Sequence, residues 1–332
     1  MQSLLDPAIL FFVFGVAAGL LKSNLEIPPA ISRFLSLYLL MALGLKGGFA
    51  LAHSGLTGEV LRSLLVAISL AVLVPLLGYS LLKRLTSPLD AAAIAATYGS
   101  VSAVTFITAT QFLDRSGLEY GGHMAAAMAL MESPAIMLAV LLANQLRTSA
   151  QLATSGAHGA TLQLGAPSST PVGKLLHESL TDGAQLLLLG AMLVGLLTGE
   201  AGKAAMQPFS GDLFKGMLAF FLLDMGLLAA RQLPQLRQNS PWLLAYALLA
   251  PLLHAGCALL LCLVMQISAG NTALLMVLAA SASYIAVPAA MRLAIPEAKP
   301  SLYVGMSLGI TFPFNILLGI PLYTSIARWA MA

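Results

Sequence analysis

Two short stretches hold the densest polar chemistry of an otherwise apolar chain. TYGSVSAVT (97–105) sets Gly99, Ser100, Ser102 and Thr105 close together, and SASYIAVPA (281–289) sets Ser281, Ser283, Tyr284 and Pro288 in a comparable run. Glycine loosens a helix, Pro288 lacks a backbone donor, and serine hydroxyls compete for the carbonyls that are freed. If both stretches interrupt helices, the N-termini of two half-helices meet. Their freed N–H groups and positive dipole ends favour a small anion. Unwound carbonyls and hydroxyls suit a hard cation such as sodium. The plainer alternative is that small and hydroxyl residues let helices pack closely. A matched pair of such clusters, one in each half of the chain, favours a site.

Ionisable and amide groups within apolar segments add to this, because burying them in lipid is costly. Glu132 stands beside Ser133 and Pro134, and Asn315 follows Pro313 by two residues, so both can offer oxygen to a cation near the two clusters. Asp224 and Lys46 also fall within apolar segments; an ion pair between them and a place on a permeation path are both open. Asp90 and Asn271 read as N-caps and His254 as a packing histidine. His53, His123, His158 and His177 read as loop or interface residues. Cys257 and Cys262 share one apolar stretch and make neither a zinc site nor a disulfide framework.

The elements that position these groups follow from composition. Of 332 residues, 59% are hydrophobic and 9% charged, against about 25% charged in soluble domains; the mean hydropathy is +0.90. This is a polytopic membrane protein. A net charge of +3 from scattered basic residues excludes a nucleic-acid binder. A crossing helix needs about 20 apolar residues, and charges, Gly and Pro delimit ten such segments: 7–22, 29–52, 60–82, 89–112, 120–146, 176–198, 211–231, 240–266, 270–294 and 301–328. The first, without a basic leader, reads as a span and not as a cleaved signal peptide. The stretch 147–175, rich in Ser, Thr, Gly, Ala and Pro, reads as a flexible cytoplasmic linker.

The two halves resemble each other. Gly19-Leu20-Leu21 recurs as Gly195-Leu196-Leu197, Leu43-Gly44-Leu45 as Met225-Gly226-Leu227, and Pro75-Leu76-Leu77 as Pro251-Leu252-Leu253. The two polar clusters match, as do Pro134 and Pro313, all in the same order. Five spans per half invert the second half, the construction of secondary transporters. Domains are expected at 1–146 (first repeat), 147–175 (linker) and 176–332 (second repeat). Ten basic residues (Lys22, Arg33, Lys83, Arg84, Arg147, Lys174, Arg231, Arg237, Arg292, Lys299) border one side. Five (Arg62, Arg115, Lys203, Lys215, Arg328) border the other, so both termini are expected outside. No GxxxxGK[ST] loop supplies an ATP engine, which leaves an ion gradient as the driving force.

TYGSVSAVTF (97–106), ASASYIAVPAAMR (280–292), GITFPFN (309–315) and GIPLY (319–323) resemble the sodium-dependent bicarbonate transporters of the SbtA type, and the resemblance extends over essentially the whole chain. It implies an all-α polytopic membrane protein of ten transmembrane helices in two inverted five-helix repeats. Helices 4 and 9 would be broken and crossing, helices 3–5 and 8–10 would form a core domain, and helices 1, 2, 6 and 7 a gate domain. It implies a plasma-membrane homotrimer that carries bicarbonate inward with sodium as coupling ion and no further cofactor. By the same resemblance Gly99, Ser100, Ser102, Ala282, Ser283 and Tyr284 bind the anion. Thr105, Phe106, Glu132, Ser281, Phe314 and Asn315 form the sodium neighbourhood. Two departures stand out. The 147–175 linker is neutral and short for a family whose cytoplasmic face docks a PII-like regulator of the SbtB type, and Asp224 stands where Glu is expected.

Rival readings are an ion-coupled carrier of another small anion such as a monocarboxylate, a cation/proton antiporter titrating Glu132, an intramembrane enzyme and a binding-only receptor. The antiporter lacks paired mid-span aspartates. The enzyme lacks a His motif to serve Ser100 or Ser102, and no HExxH appears.

Overall fold

The computed structural model describes residues 6–55, 57–155, 183–236 and 240–331. These residues are helical with no strand among them. The helices are α1 (Pro7–Leu20), α2 (Pro29–Ser54), α3 (Gly58–Leu82), α4 (Pro88–Gly99), α5 (Ala103–Arg115) and α6 (Met124–Ser155). They continue as α7 (Gly183–Met206), α8 (Leu213–Leu236), α9 (Pro241–Met265), α10 (Ala269–Ala280), α11 (Ala286–Ala294) and α12 (Pro300–Ala330). Seven stretches among the described residues are long and apolar enough to cross a membrane, and α1 and α10 are shorter apolar helices.

One of the seven, Gly183–Pro234, is 52 residues long. As a straight helix it would extend about 78 Å at ~1.5 Å per residue, far beyond a hydrocarbon core of about 30 Å. It is not straight. Gly199 takes φ 55 and ψ −138, a conformation that a Cβ disfavours, and the π turn Gln207–Asp212 follows. One boundary needs correction. α6 runs on to Ser155, into the stretch 147–175 read as a linker; 156–175 lies outside the described residues, as do His158, His177 and the first residues of the expected sixth span. Apolar and alanine-rich residues up to Asn144 leave nothing to stop that helix at Arg147.

Helix packing follows residue size. α2 lies along α7 and α1 along α8, with Gly44, Gly48 and Gly195 at the first contact and Gly15 and Gly226 at the second, each against facing backbone. α3 packs on α4 and α9 on α10. The interrupted stretch Pro88–Arg115 is the most enclosed, 94% buried against 33% for α9. α9 instead turns Leu249, Leu253, Leu260 and Val264 outward, as a lipid-facing helix does.

The starts of α4 and α10 are tied down in corresponding ways. Ser87 caps α4, accepting from Asp90 N at 3.2 Å, and Ser268 occupies the N-cap position of α10. Asp90 and Asn271 are therefore not the caps. Each sits inside the first turn, and its side chain reaches a loop of the other half of the chain. Lys299 N donates to Asp90 Oδ1 at 2.8 Å, and Gly121 N donates to Asn271 Oδ1 at 2.7 Å. Asn271 Nδ2 also donates to Glu59 at 2.9 Å. Asp90 is 4% exposed and its bond is charge-assisted, so Asp90→Ala is expected to cost about 1.5–3 kcal/mol. The unfolding midpoint in detergent should fall for Asp90→Ala and, by less, for Asn271→Ala. An unchanged midpoint in both would show that these ties do not hold the half-helices.

Candidate anion and cation site at two helix interruptions

α4 stops at Gly99 because α3 leaves no room for a side chain there. A Cβ on Gly99 would lie 2.6 Å from Pro75 Cβ. Ser100 and Val101 are extended or irregular, and Ser102 then caps α5, accepting from Thr105 N at 3.2 Å. The second interruption lies between Ala280 and Ala286. There Ser283 Oγ accepts from Val287 N at 3.3 Å.

The two interruptions meet. Ser102 N donates to Ser281 Oγ at 3.0 Å, and Ser283 N donates to the Thr97 carbonyl at 2.8 Å. Ser281 Oγ donates in turn to Leu278 O at 2.8 Å. Ser100, Ser102, Ala282, Ser283 and Tyr284 are all buried beside Gly99, so the six residues expected to hold an anion come together at one place. Because α5 and α11 both begin there, the N–H groups of two first turns face it with no carbonyl of their own helices to meet. Two hydroxyls stand out. Ser100 Oγ and Tyr284 Oη are buried with no hydrogen-bond partner, although Tyr284 lies beside Ser102. An unmet buried polar group costs about 1–3 kcal/mol, so two at one junction mark a place shaped for a ligand with acceptor oxygens.

The residues expected near sodium divide. Thr105, Ser281 and Asn315 belong to the same hydrogen-bonded chain. Asn315 Nδ2 donates to Ala280 O at 2.8 Å, at the C-terminal end of α10, and its Oδ1 accepts from Tyr323 at 3.2 Å. Its amide thus closes the cut end of a half-helix, and its oxygen keeps one lone pair. Phe106 is 1% exposed, four residues past Ser102, and Phe314 is half-buried beside Asn315. Glu132 reaches another element, accepting from Gln185 Nε2 of α7 at 2.9 Å.

Lys46 and Asp224 do not pair. Ser32 donates to the Asp224 carboxylate, and Lys46 Nζ sits 4.2 Å from the centre of the Phe214 ring. Residues not named as ligands from the sequence also build the site. Tyr98 and Thr311 hydroxyls share a bond of 2.7 Å, and Thr311 donates to Ala247 O at 2.7 Å, which fixes α4 to α12 and α9. Tyr284 stacks edge-on against Phe312 with centroids 5.1 Å apart, and Phe312 against Phe12 of α1 at 5.5 Å. His254 is buried, as a packing histidine should be, and Cys257 and Cys262 are free thiols.

Two interrupted helices crossing in an apolar bundle, with polar groups turned into the gap, define a carrier of small ions across a membrane. A family model described as the Na+-dependent bicarbonate transporter superfamily matches residues 7–328, and the chain belongs to that family. It is a membrane transporter of sodium and bicarbonate, not an enzyme. A comparison with curated proteins gives no match.

Gly99→Ala is expected to destabilise the protein by about 1–3 kcal/mol through overpacking against Pro75, and to lower uptake by moving Ser100. A variant with wild-type thermal stability and uptake would remove the close approach of α3 from the account.

Proposed function

We propose that the protein is a sodium-coupled bicarbonate symporter that works by moving a core domain, with its site, against a gate domain. The observation that carries this reading is the pair of unpartnered buried hydroxyls, Ser100 Oγ and Tyr284 Oη, at the junction of two half-helix N-termini. Bicarbonate offers acceptor oxygens to those hydroxyls and to the free N–H groups, with Gly99, Ser102, Ala282 and Ser283 completing the cradle. Sodium sits beside it among Thr105, Phe106, Ser281, Phe314 and Asn315, where the carbonyl ends of α4 and α10 lie. Glu132 contributes charge from α6. Each ion lowers the electrostatic cost of holding the other, which is the origin of coupling.

Ten crossings in two inverted repeats fit the end-to-end ties. Asp6 pairs with Arg115, and Arg328 donates to Ser116 O at 2.5 Å, so both ends of the described chain share a face with the loop after α5. Lys299 and Asp90 join at a different set of loops. An even number of crossings satisfies both. The pairs α1–α8 and α2–α7 exchange under an inverted repeat, as do α3–α4 with α9–α10 and the Asp90 tie with the Asn271 tie. The first two pairs make the gate; α3–α6 and α9–α12 make the core. The family resemblance adds a plasma-membrane location with both termini outside and a homotrimer.

The test is uptake of labelled bicarbonate into proteoliposomes at alkaline pH, with and without an inward sodium gradient. Uptake should require sodium and fall to background in Ser100→Ala, whose protein remains folded. Uptake driven by a pH gradient and indifferent to sodium would overturn the coupling. Transport of formate or acetate with none of bicarbonate would make the protein a monocarboxylate carrier.

A further inference from the structure

A second polar region lies outside the interruption. A cavity of about 790 Å³ is lined by α2, by the loop 117–122 and by the turn after α7, and it ends inward on Phe106 of α5. Phe106 stands one helical turn from Ser102, so the cavity leads from a loop face to the site. Its position at the boundary of α2 and α7 with α5 and α6 places it between the proposed gate and core.

The charges that line it are not equivalent. Glu200 and Lys203 pair with each other at 3.4 Å near the surface. Glu119 sits on the exposed rim. Half-buried Lys46 of α2 and Asp114, at the exposed end of α5, face the cavity from the proposed gate and core. Gln111 Nε2 lies 3.4 Å from the Asp114 carboxylate and the Tyr120 hydroxyl bonds to it. Lys46 rests on the Phe214 ring, and among the described residues no carboxylate lies within ion-pairing distance of it. A lysine inside an apolar bundle that touches no carboxylate, with Asp114 acting on it only at longer range, is costly unless it also serves an incoming charge. Its ring contact restrains the ammonium in place. Lys215 is the other cation within electrostatic reach and reinforces the positive field at Lys46.

We propose that this cavity is the entry vestibule and that its two facing charges divide the incoming ions, Lys46 receiving the anion and Asp114 the cation. The inference rests on the symport reading above and deepens it by naming residues that bind neither ion at the central site. The two act on encounter: they raise the local concentration of each ion at the mouth of the site and release it inward as the other ion binds. The cavity offers an incoming anion a lysine on one wall and an incoming cation a carboxylate on the other. A symport of opposite charges from one face needs both.

The experiment is sodium-dependent bicarbonate uptake by wild type, Lys46→Gln, Lys46→Arg and Asp114→Asn in proteoliposomes, with KM measured separately for each ion. Lys46→Gln should raise KM for bicarbonate roughly tenfold, the effect of about 1.4 kcal/mol, and leave maximal rate and KM for sodium near wild type. Lys46→Arg should restore it. Asp114→Asn should do the reverse, raising KM for sodium and sparing that for bicarbonate. Increasing ionic strength with choline sulfate should shrink both effects. A KM for bicarbonate unchanged in Lys46→Gln overturns the proposal, as does a fall in maximal rate alone, which marks a packing role. Wild-type protein without sodium-dependent uptake refutes the symport reading itself, a result distinct from either variant's.

Discussion

A backbone amide that loses its helical partner inside an apolar bundle has no water to turn to, so side chains, other backbone or a ligand must satisfy it. Much of this structure is arranged around that constraint at two places. Cutting a helix at Gly99 and again at Ala280 exposes N–H groups and carbonyls at the most enclosed part of the protein. The repairs are specific. Ser102 takes the N–H of Thr105, Ser281 that of Ser102, the Thr97 carbonyl that of Ser283, and Asn315 covers the Ala280 carbonyl. What the protein leaves unrepaired at that junction is as informative: the buried hydroxyls of Ser100 and Tyr284.

The rest of the molecule holds that junction at a fixed place. Pro75 presses on Gly99 from α3, the Tyr98–Thr311–Ala247 chain locks α4 to the last helix, and Asp90 and Asn271 moor the far ends of the half-helices to loops. By contrast, α1 and α2 meet α8 and α7 through glycine contacts. Polar links from these helices toward the junction are few, such as Gln185 to Glu132. In the proposed mechanism this division separates a rigid carrier of the site from the surface it slides along. In that proposal, holding sodium and bicarbonate together in one low-dielectric pocket lowers the electrostatic cost of moving the loaded carrier.

The sequence disclosed the parts governed by local chemistry. Low charge and long apolar runs announced the membrane class, and the crowding of Gly, Ser and Thr at 97–105 and of Ser with Pro288 at 281–289 announced the interruptions, because those residues weaken a helix. Contacts between distant segments were not legible. Asp90 and Asn271 read as caps, since a polar residue at a helix start usually is one; that Ser87 and Ser268 take the N-cap places instead, and that loops from the other half come within reach, depends on the folded bundle. The depth of Lys46 and Asp224 in matching segments left an ion pair open. Their true neighbours, Phe214 and Ser32, follow from how α2 and α8 are rotated. The extension of α6 to Ser155 was hidden by a composition that suits a linker as well as a helix end.

The central claim is that one junction holds a cation and an anion that stabilise each other. It is tested most directly by calorimetric binding to purified protein in detergent. Bicarbonate affinity would be measured with sodium and with choline in its place, and sodium affinity with and without bicarbonate. Linkage requires that the two ions raise each other's affinity by the same factor, at least about fivefold for a working coupling. Equal enhancements of that size are the predicted result. Bicarbonate binding of the same strength in choline as in sodium would contradict the account.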